Sequence, residues 1–206
     1  MLENYQKDKN GLIQQLNPNP RTYDYEYSNI YNGYSTNDVM SYLRLGYIIG
    51  SIGKSPESIL DIGYGNGAFL KLASEKIKCY GHDISNYPLP ENVEFVNDIY
   101  NKKFDVICFF DVLEHFIDPY FIKDLDCNYI VISVPECHYF SDEWFKDWKH
   151  RRPDEHLWHF NKESLIKFFK YNGYNLINTS NIEDIIRKNN KEYSNILSAV
   201  FKKERS

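Results

Sequence analysis

The apolar and polar positions along the chain alternate between two periods. Short apolar runs mark strands at Ile59–Ile62, Lys78–His82, Val93–Val96, Phe104–Phe110 and Tyr129–Val134. Between several of them lie stretches with helical spacing. Gly67 to about Lys76 is one, and Asn161 to Asn172-Gly173 is another, with Asn161 as a plausible N-cap and Gly173 as a C-terminal stop. Strands that alternate with helices predict a parallel sheet with crossover helices. Two late runs, Tyr174–Thr179 and Ile196–Lys202, predict an antiparallel pair at the sheet edge. Upstream, Ser35 or Thr36 can cap a helix running to about Ile52, with Val39, Tyr42, Leu43, Tyr47 and Ile49 as its apolar stripe. The crossover after His82 is reduced to Asn86-Tyr87-Pro88-Leu89-Pro90, a short proline-stiffened link.

The ends of these elements carry the chemistry. The run Ser58 to Leu70, SILDIGYGNGAFL, reads as a buried strand, a glycine turn and a helix start. Glycine suits a turn that needs unusual backbone angles and close approach of a ligand, and the helix that follows aims free N–H groups at the turn. Gly63-Tyr64-Gly65-Asn66-Gly67-Ala68 fits the nicotinamide fingerprint G-x-G-x-x-G/A. However, Asp61 lies within the same turn, where a carboxylate would repel a pyrophosphate and suits a cationic group. Asp83 ends the next strand, about 20 residues on, where an acid can accept both hydroxyls of a ribose.

With Asp61, Gly63, Gly65 and Gly67 all in place, the stretch resembles motif I of the class I S-adenosylmethionine-dependent methyltransferases, D/E-x-G-x-G-x-G. The block FDVICFFDVLEHFIDP (Phe104–Pro119) resembles motif IV of small-molecule members, and His156–Leu165 resembles the H-x-x-H-F-T-x-E-S-L element that opens their last helix. The likeness extends from about residue 36 to 203 and includes the ubiquinone-pathway O-methyltransferases. It implies a Rossmann-like α/β domain, residues 36–206, with a mostly parallel seven-stranded sheet, a C-terminal antiparallel pair, an N-terminal helical cap and a variable insert at about 137–155. Residues 1–35 would be an arm or lid. Residues 1 to about 20 read as an arm or loose helix, and Tyr23, Tyr25, Tyr27, Tyr31 and Tyr34 as packing or pocket-lining rings.

The resemblance also implies a cofactor set. Asp61, Gly63, Tyr64, Gly65 and Gly67 would form the turn. Asp83 would meet the ribose, with Ile84 beside it in the cofactor site, Asp98 the adenine amine and Ile99 the ring. Phe110 would pack on the cofactor, and Arg44 would pair with its carboxylate. In the ubiquinone-pathway enzymes an E-x-x-E-H segment is proposed to bind magnesium near the acceptor. The matching residues here are Asp111, Glu114 and His115. Positions i, i+3 and i+4 share a helix face, so the three could hold Mg2+ or Mn2+; the alternative is that Glu114 and His115 brace neighbouring loops. His115 and His138 are candidate general bases. Methyl transfer is an in-line displacement that depends mainly on positioning, so no strong catalytic motif is required.

Composition narrows the classes. With 206 residues, 42% hydrophobic and 26% charged, the chain is globular in character and long enough for one well-buried domain. No apolar run approaches the roughly 20 residues that span a bilayer, and the first residues lack a secretory layout, so the expected location is cytoplasmic. The net charge of −5 argues against broad nucleic-acid binding. Cys79, Cys108, Cys127 and Cys137 form no C-x-x-C pair, and the histidines 138, 150, 156 and 159 match no zinc spacing. The expected activity is methyl transfer from S-adenosylmethionine to oxygen or nitrogen of a small metabolite or sugar derivative. The alternatives are an RNA or nucleotide-cap methyltransferase using Lys149–Arg152, a non-catalytic S-adenosylmethionine-binding protein, and an NAD-dependent oxidoreductase.

Overall fold

The computed structural model describes residues 3–20, 37–85, 87–187 and 192–204. The tyrosines 23–34, Ser35 and Thr36 lie outside the described residues, as does Asn86. Among the described residues, seven strands form the main sheet: β3 (Ser58–Ile62), β4 (Lys78–His82), β5 (Val93–Phe95), β6 (Phe104–Phe110), β7 (Cys127–Pro135), β9 (Tyr174–Ser180) and β10 (Ile196–Lys203). Their order is β5-β4-β3-β6-β7-β10-β9. The first five are mutually parallel, and β10 runs antiparallel to both β7 and β9. This is the sheet that the strand pattern and the resemblance imply.

Strand order reverses between β3 and β6, and in open α/β sheets ligands bind beyond the C-terminal ends of the strands at such a point. Both faces of the sheet are covered, which is why β6 is buried at every position. On one side lie α1 (Asn37–Ile52) and α2 (Ala68–Ala73), packing Tyr47, Ile48, Phe69 and Leu70 against Ile59, Val106 and Val200. On the other lies α4 (Lys162–Tyr171), which packs Leu165, Phe168 and Phe169 against β7 and β10. Asn161 caps α4 by accepting from the Ser164 N–H at 2.7 Å, and the Ser164 hydroxyl accepts in turn from Asn161 N–H. All four cysteines are buried and free. No helix among the described residues is long and apolar enough to cross a membrane.

Three elements differ from the sequence reading. Residues 3–20 form a β-hairpin instead of a loose helix: β1 (Tyr5–Lys7) pairs with β2 (Ile13–Gln15), which pairs with β8 (Trp158–His159). The Asp8 carboxylate accepts from the Asn10 and Leu12 N–H groups, Gly11 N–H donates to the Asp8 carbonyl and Gly11 takes φ 87°, so Asp8–Gly11 makes the turn. The hairpin buries Tyr5 and Ile13 against Cys137, Phe145 and Trp148 of the insert, which contains a short helix α3 (Asp142–Asp147). Helix α1 is partly rotated from its expected face. Tyr47 of the expected stripe is buried and Leu43 and Ile49 are half-buried, but Val39 and Tyr42 are exposed and Met40 and Ile48 turn inward. Helix α2 spans only Ala68–Ala73, shorter than the expected run to Lys76.

Candidate active site

The turn after β3 is built from left-handed glycines. Gly63, Gly65 and Gly67 have φ of 73°, 56° and 74°. A Cβ on Gly63 would lie 2.5 Å from Val112 Cγ2, so the turn sits against the loop that follows β6. A Cβ on Gly65 would meet nothing within 4 Å; its backbone faces open space. Asp83, at the end of β4, braces the same turn by accepting from Gly65 N–H at 3.0 Å and from Ser85 N–H at 2.7 Å. Tyr64 turns away from the open side: its hydroxyl donates to the Tyr87 carbonyl at 2.6 Å and its ring packs against Gly81. Asp61 is buried, and its Oδ1 has no hydrogen-bond partner. Burial pushes its carboxyl up to about 8, opposed by Arg44 and reinforced by Asp83. Neutral without a ligand, this acid would ionise beside a cationic ligand group and pair with it, whereas an anionic group would gain no such partner.

The other expected cofactor residues line the same edge of the sheet. Ile84 is exposed beside Asp83, and Ile99 is buried beside Asp98. Asp98 is exposed; it accepts from Tyr100 N–H at 2.9 Å and from the Asn101 side chain. Phe110, at the end of β6, lies edge-on to Phe69 and beneath the Arg44 guanidinium, 4.2 Å from its ring centroid.

Arg44 is directed inward by the rotated face of α1. It donates to Glu183 from Nε at 2.8 Å and to Asp111 from Nη2 at 3.3 Å. Arg187 binds Asp111 through both terminal nitrogens, at 2.7 and 2.5 Å, and its Nε lies 3.2 Å from Glu183. Two arginines and two acids thus form one network above Phe110. Sequence reading missed Glu183 and Arg187; their i, i+4 spacing is the only local sign of them.

The expected Asp111–Glu114–His115 helix face does not form. Asp111 takes a left-handed φ of 59°, and only Leu113–His115 form a turn, of 3-10 type. Both Asp111 oxygens are taken by the arginines. Burial alone would raise its pKa, but Arg187 and then Arg44 override that and hold it well below the usual carboxylate range. Asp111 therefore does not serve with Glu114 and His115 as a magnesium triad in this arrangement. Instead the ring of His156 lies edge-on to His115, centroids 4.7 Å apart. One ligand atom each from Glu114, His115 and His156 lie within 4.8 Å of one another. Burial, then Asp111, pushes the Glu114 carboxyl well above its ordinary value, and burial lowers both His115 and His156.

His138 lies beyond β7. Its Nε2 is 2.9 Å from the Ser194 carbonyl, and its ring stacks on Phe140 and tilts against Tyr193. In the basic run Lys149 and Arg152 are exposed; Arg152 pairs with Glu155 at 2.8 Å, Arg151 donates to the Lys146 carbonyl and lies over the Tyr5 ring, and His150 contacts Asn195.

Comparisons with known proteins agree with this architecture. The family model described as methyltransferase domain matches residues 41–179. No curated protein sequence matches the chain. Among solved structures, the chain is similar to the 1,6-didemethyltoxoflavin-N1-methyltransferase of Burkholderia thailandensis, at 14% identity and TM-score 0.60, covering 98% of this chain and 100% of that one. It is also similar to the plantazolicin methyltransferase BpumL, at 17% identity and TM-score 0.60, covering 86% and 89%. A third likeness is to the magnesium protoporphyrin IX methyltransferase of Synechocystis PCC 6803, at 13% identity and TM-score 0.57, covering 89% and 90%. The likeness to the ubiquinone-pathway enzymes is a loose one. With motif I on a β3/β6 switch point, a seven-stranded sheet closed by an antiparallel pair and a family match over most of the chain, the protein belongs to the methyltransferase-domain family and is a class I S-adenosylmethionine-dependent methyltransferase.

Proposed function

We propose that the protein transfers a methyl group from S-adenosylmethionine to an oxygen or nitrogen of a small-molecule acceptor, a metabolite or sugar derivative. The observation that carries this reading is the buried Asp61 carboxylate inside the glycine turn, with one oxygen unpartnered. It suits the ammonium of S-adenosylmethionine and disfavours a dinucleotide pyrophosphate. In this reading Asp83 takes the ribose hydroxyls, Asp98 the adenine amine, and Ile84 and Ile99 the two faces of the ring. The open side of Gly65 and the backbone of Gly63, Tyr64 and Gly67 admit the cofactor. Phe110 packs against it, and Arg44 exchanges part of its contact with Glu183 for the cofactor carboxylate.

The cofactor supplies an already activated methyl, so the chain's own task is alignment, exclusion of water and removal of a proton from the acceptor. Two imidazoles are candidate bases. If His138 donates from Nε2 to the Ser194 carbonyl, its Nδ1 is the basic nitrogen, and the aromatic wall of Phe140, Trp144 and Tyr193 surrounds it. Burial lowers the pKa of His115, so its ring could act as the base when it carries no metal. A small acceptor is favoured over RNA because, within the Lys149–Arg152 run, His150, Arg151 and Arg152 each make a contact inside the domain. The three neighbours are named for small-molecule or peptide acceptors, which is consistent with such a choice.

Calorimetry with S-adenosylmethionine, S-adenosylhomocysteine and NAD tests the cofactor. Binding of the first two without the third is expected; tight NAD binding with no heat from S-adenosylmethionine would overturn the reading. Transfer of labelled methyl into pooled acceptor classes then sorts small molecules from RNA.

A further inference from the structure

We propose that Glu114, His115 and His156 form a transition-metal site of the zinc type, with two imidazole nitrogens and one carboxylate as protein donors. The site differs in residues and in chemistry from the magnesium triad implied by resemblance. His156 enters from the segment before β8, held there because Leu157 N–H donates to the Glu114 carbonyl at 2.8 Å.

Three observations converge on it. First, Glu114 is 1% exposed and neither carboxylate oxygen has a hydrogen-bond partner. A buried polar group without a partner is costly, and a bound cation removes that cost. Second, both imidazoles are anchored to the backbone, as metal-bound histidines commonly are. Nδ1 of His156 lies 2.8 Å from the His150 carbonyl, so donation there leaves Nε2 with its lone pair. His115 makes a hydrogen bond to the Glu155 backbone. Third, the three donor atoms lie within 4.8 Å of one another. Donors about 2.0–2.1 Å from a tetrahedral zinc are ~3.4 Å apart, so the side chains need to close in by at most about 1.4 Å. Two nitrogens and one oxygen select a zinc-like cation over magnesium, which prefers oxygen ligands. Three protein donors leave a fourth position for water or an acceptor heteroatom. Val112, two residues before Glu114, lies against Gly63 of the glycine turn.

The test uses untagged, metal-stripped protein without S-adenosylmethionine, so it stands apart from the cofactor reading. Titration with Co2+ is expected to give visible bands of a low-coordinate nitrogen–oxygen site at one equivalent, displaced by Zn2+ and unaffected by millimolar Mg2+. Glu114→Gln and His156→Gln are each expected to weaken Co2+ binding by roughly 100-fold or more, beyond the 10–100-fold that loss of an outer partner costs. X-ray absorption of the zinc-loaded wild type, expected to show two imidazoles, decides the matter if either variant fails to fold. Absence of stoichiometric binding, unchanged affinity in the folded variants, or a spectrum with fewer than two imidazoles would overturn the proposal.

Discussion

Gly63 and Gly65 provide a matched pair of substitutions. Both have left-handed φ, 73° and 56°, so alanine incurs a similar backbone cost of about 1–2 kcal/mol at either position. Their surroundings differ. An alanine Cβ at 63 would lie 2.5 Å from Val112 Cγ2 and 2.9 Å from Cγ1, whereas at 65 it would meet nothing within 4 Å. Valine is stiff at χ1 and cannot withdraw both methyls, so the clash adds an overpacking cost of about 1–3 kcal/mol. Gly63→Ala should therefore lower stability by about 2–5 kcal/mol and Gly65→Ala by only about 1–2. The difference between the two isolates the clash, because the backbone cost cancels. Urea denaturation of the protein without cofactor measures both, and m-values should stay equal if only the native state is affected. Val112→Ala should relieve Gly63→Ala, with a coupling of about 0.5–3 kcal/mol in the double-mutant cycle, and should not relieve Gly65→Ala. Gly65→Ala should instead reduce S-adenosylmethionine affinity far more than its stability change suggests, since its Cβ would enter the open side of the turn. If Gly63→Ala is no more costly than Gly65→Ala, or costs the same with and without Val112, the packing of the turn against the β6 loop is refuted.

Two further predictions follow from the acids of the turn. Asp61 keeps its proton in the folded state to about pH 8, while an unfolded aspartate loses it near 3.9; its contribution is therefore fully present below about pH 4 and is lost as pH rises towards 8. The wild type without cofactor should lose stability across that window relative to Asp61→Asn, with a slope difference up to about 1.4 kcal/mol per pH unit, and parallel pH profiles of the two proteins would sink this. Asp83→Ala removes both a ribose ligand and the brace on Gly65 N–H, so it should lower Tm as well as weaken S-adenosylmethionine binding, hydrogen bonds to charged groups contributing roughly 1.5–3 kcal/mol each; a calorimetric affinity equal to wild type in a folded variant would remove Asp83 from the site.

Much of this architecture is written locally. Strand runs, the glycine turn, the Asn161 cap and the antiparallel edge are legible because neighbouring residues set backbone angles and the period of burial. Even the turn at Asp8–Gly11 was present as a run of turn-favouring Asp, Asn and Gly. Its two strands were missed because each has three residues, and their partner, Trp158–His159, is distant in the chain. The inward face of α1 was partly misjudged because Val39 and Tyr42 are apolar yet exposed, while Arg44 points in toward Glu183. An apolar stripe gives a helix's period, but the neighbours it packs against choose its face. The Asp111–Glu114–His115 spacing assumed a regular helix. The left-handed Asp111 and its capture by Arg187 abolish that face. His156 meets His115 only because β8 carries it across from a separate segment. Side-chain partners brought together by sheet order and long-range packing leave no periodic mark on the chain, so the composition of the acidic and imidazole cluster was decided by the tertiary structure alone.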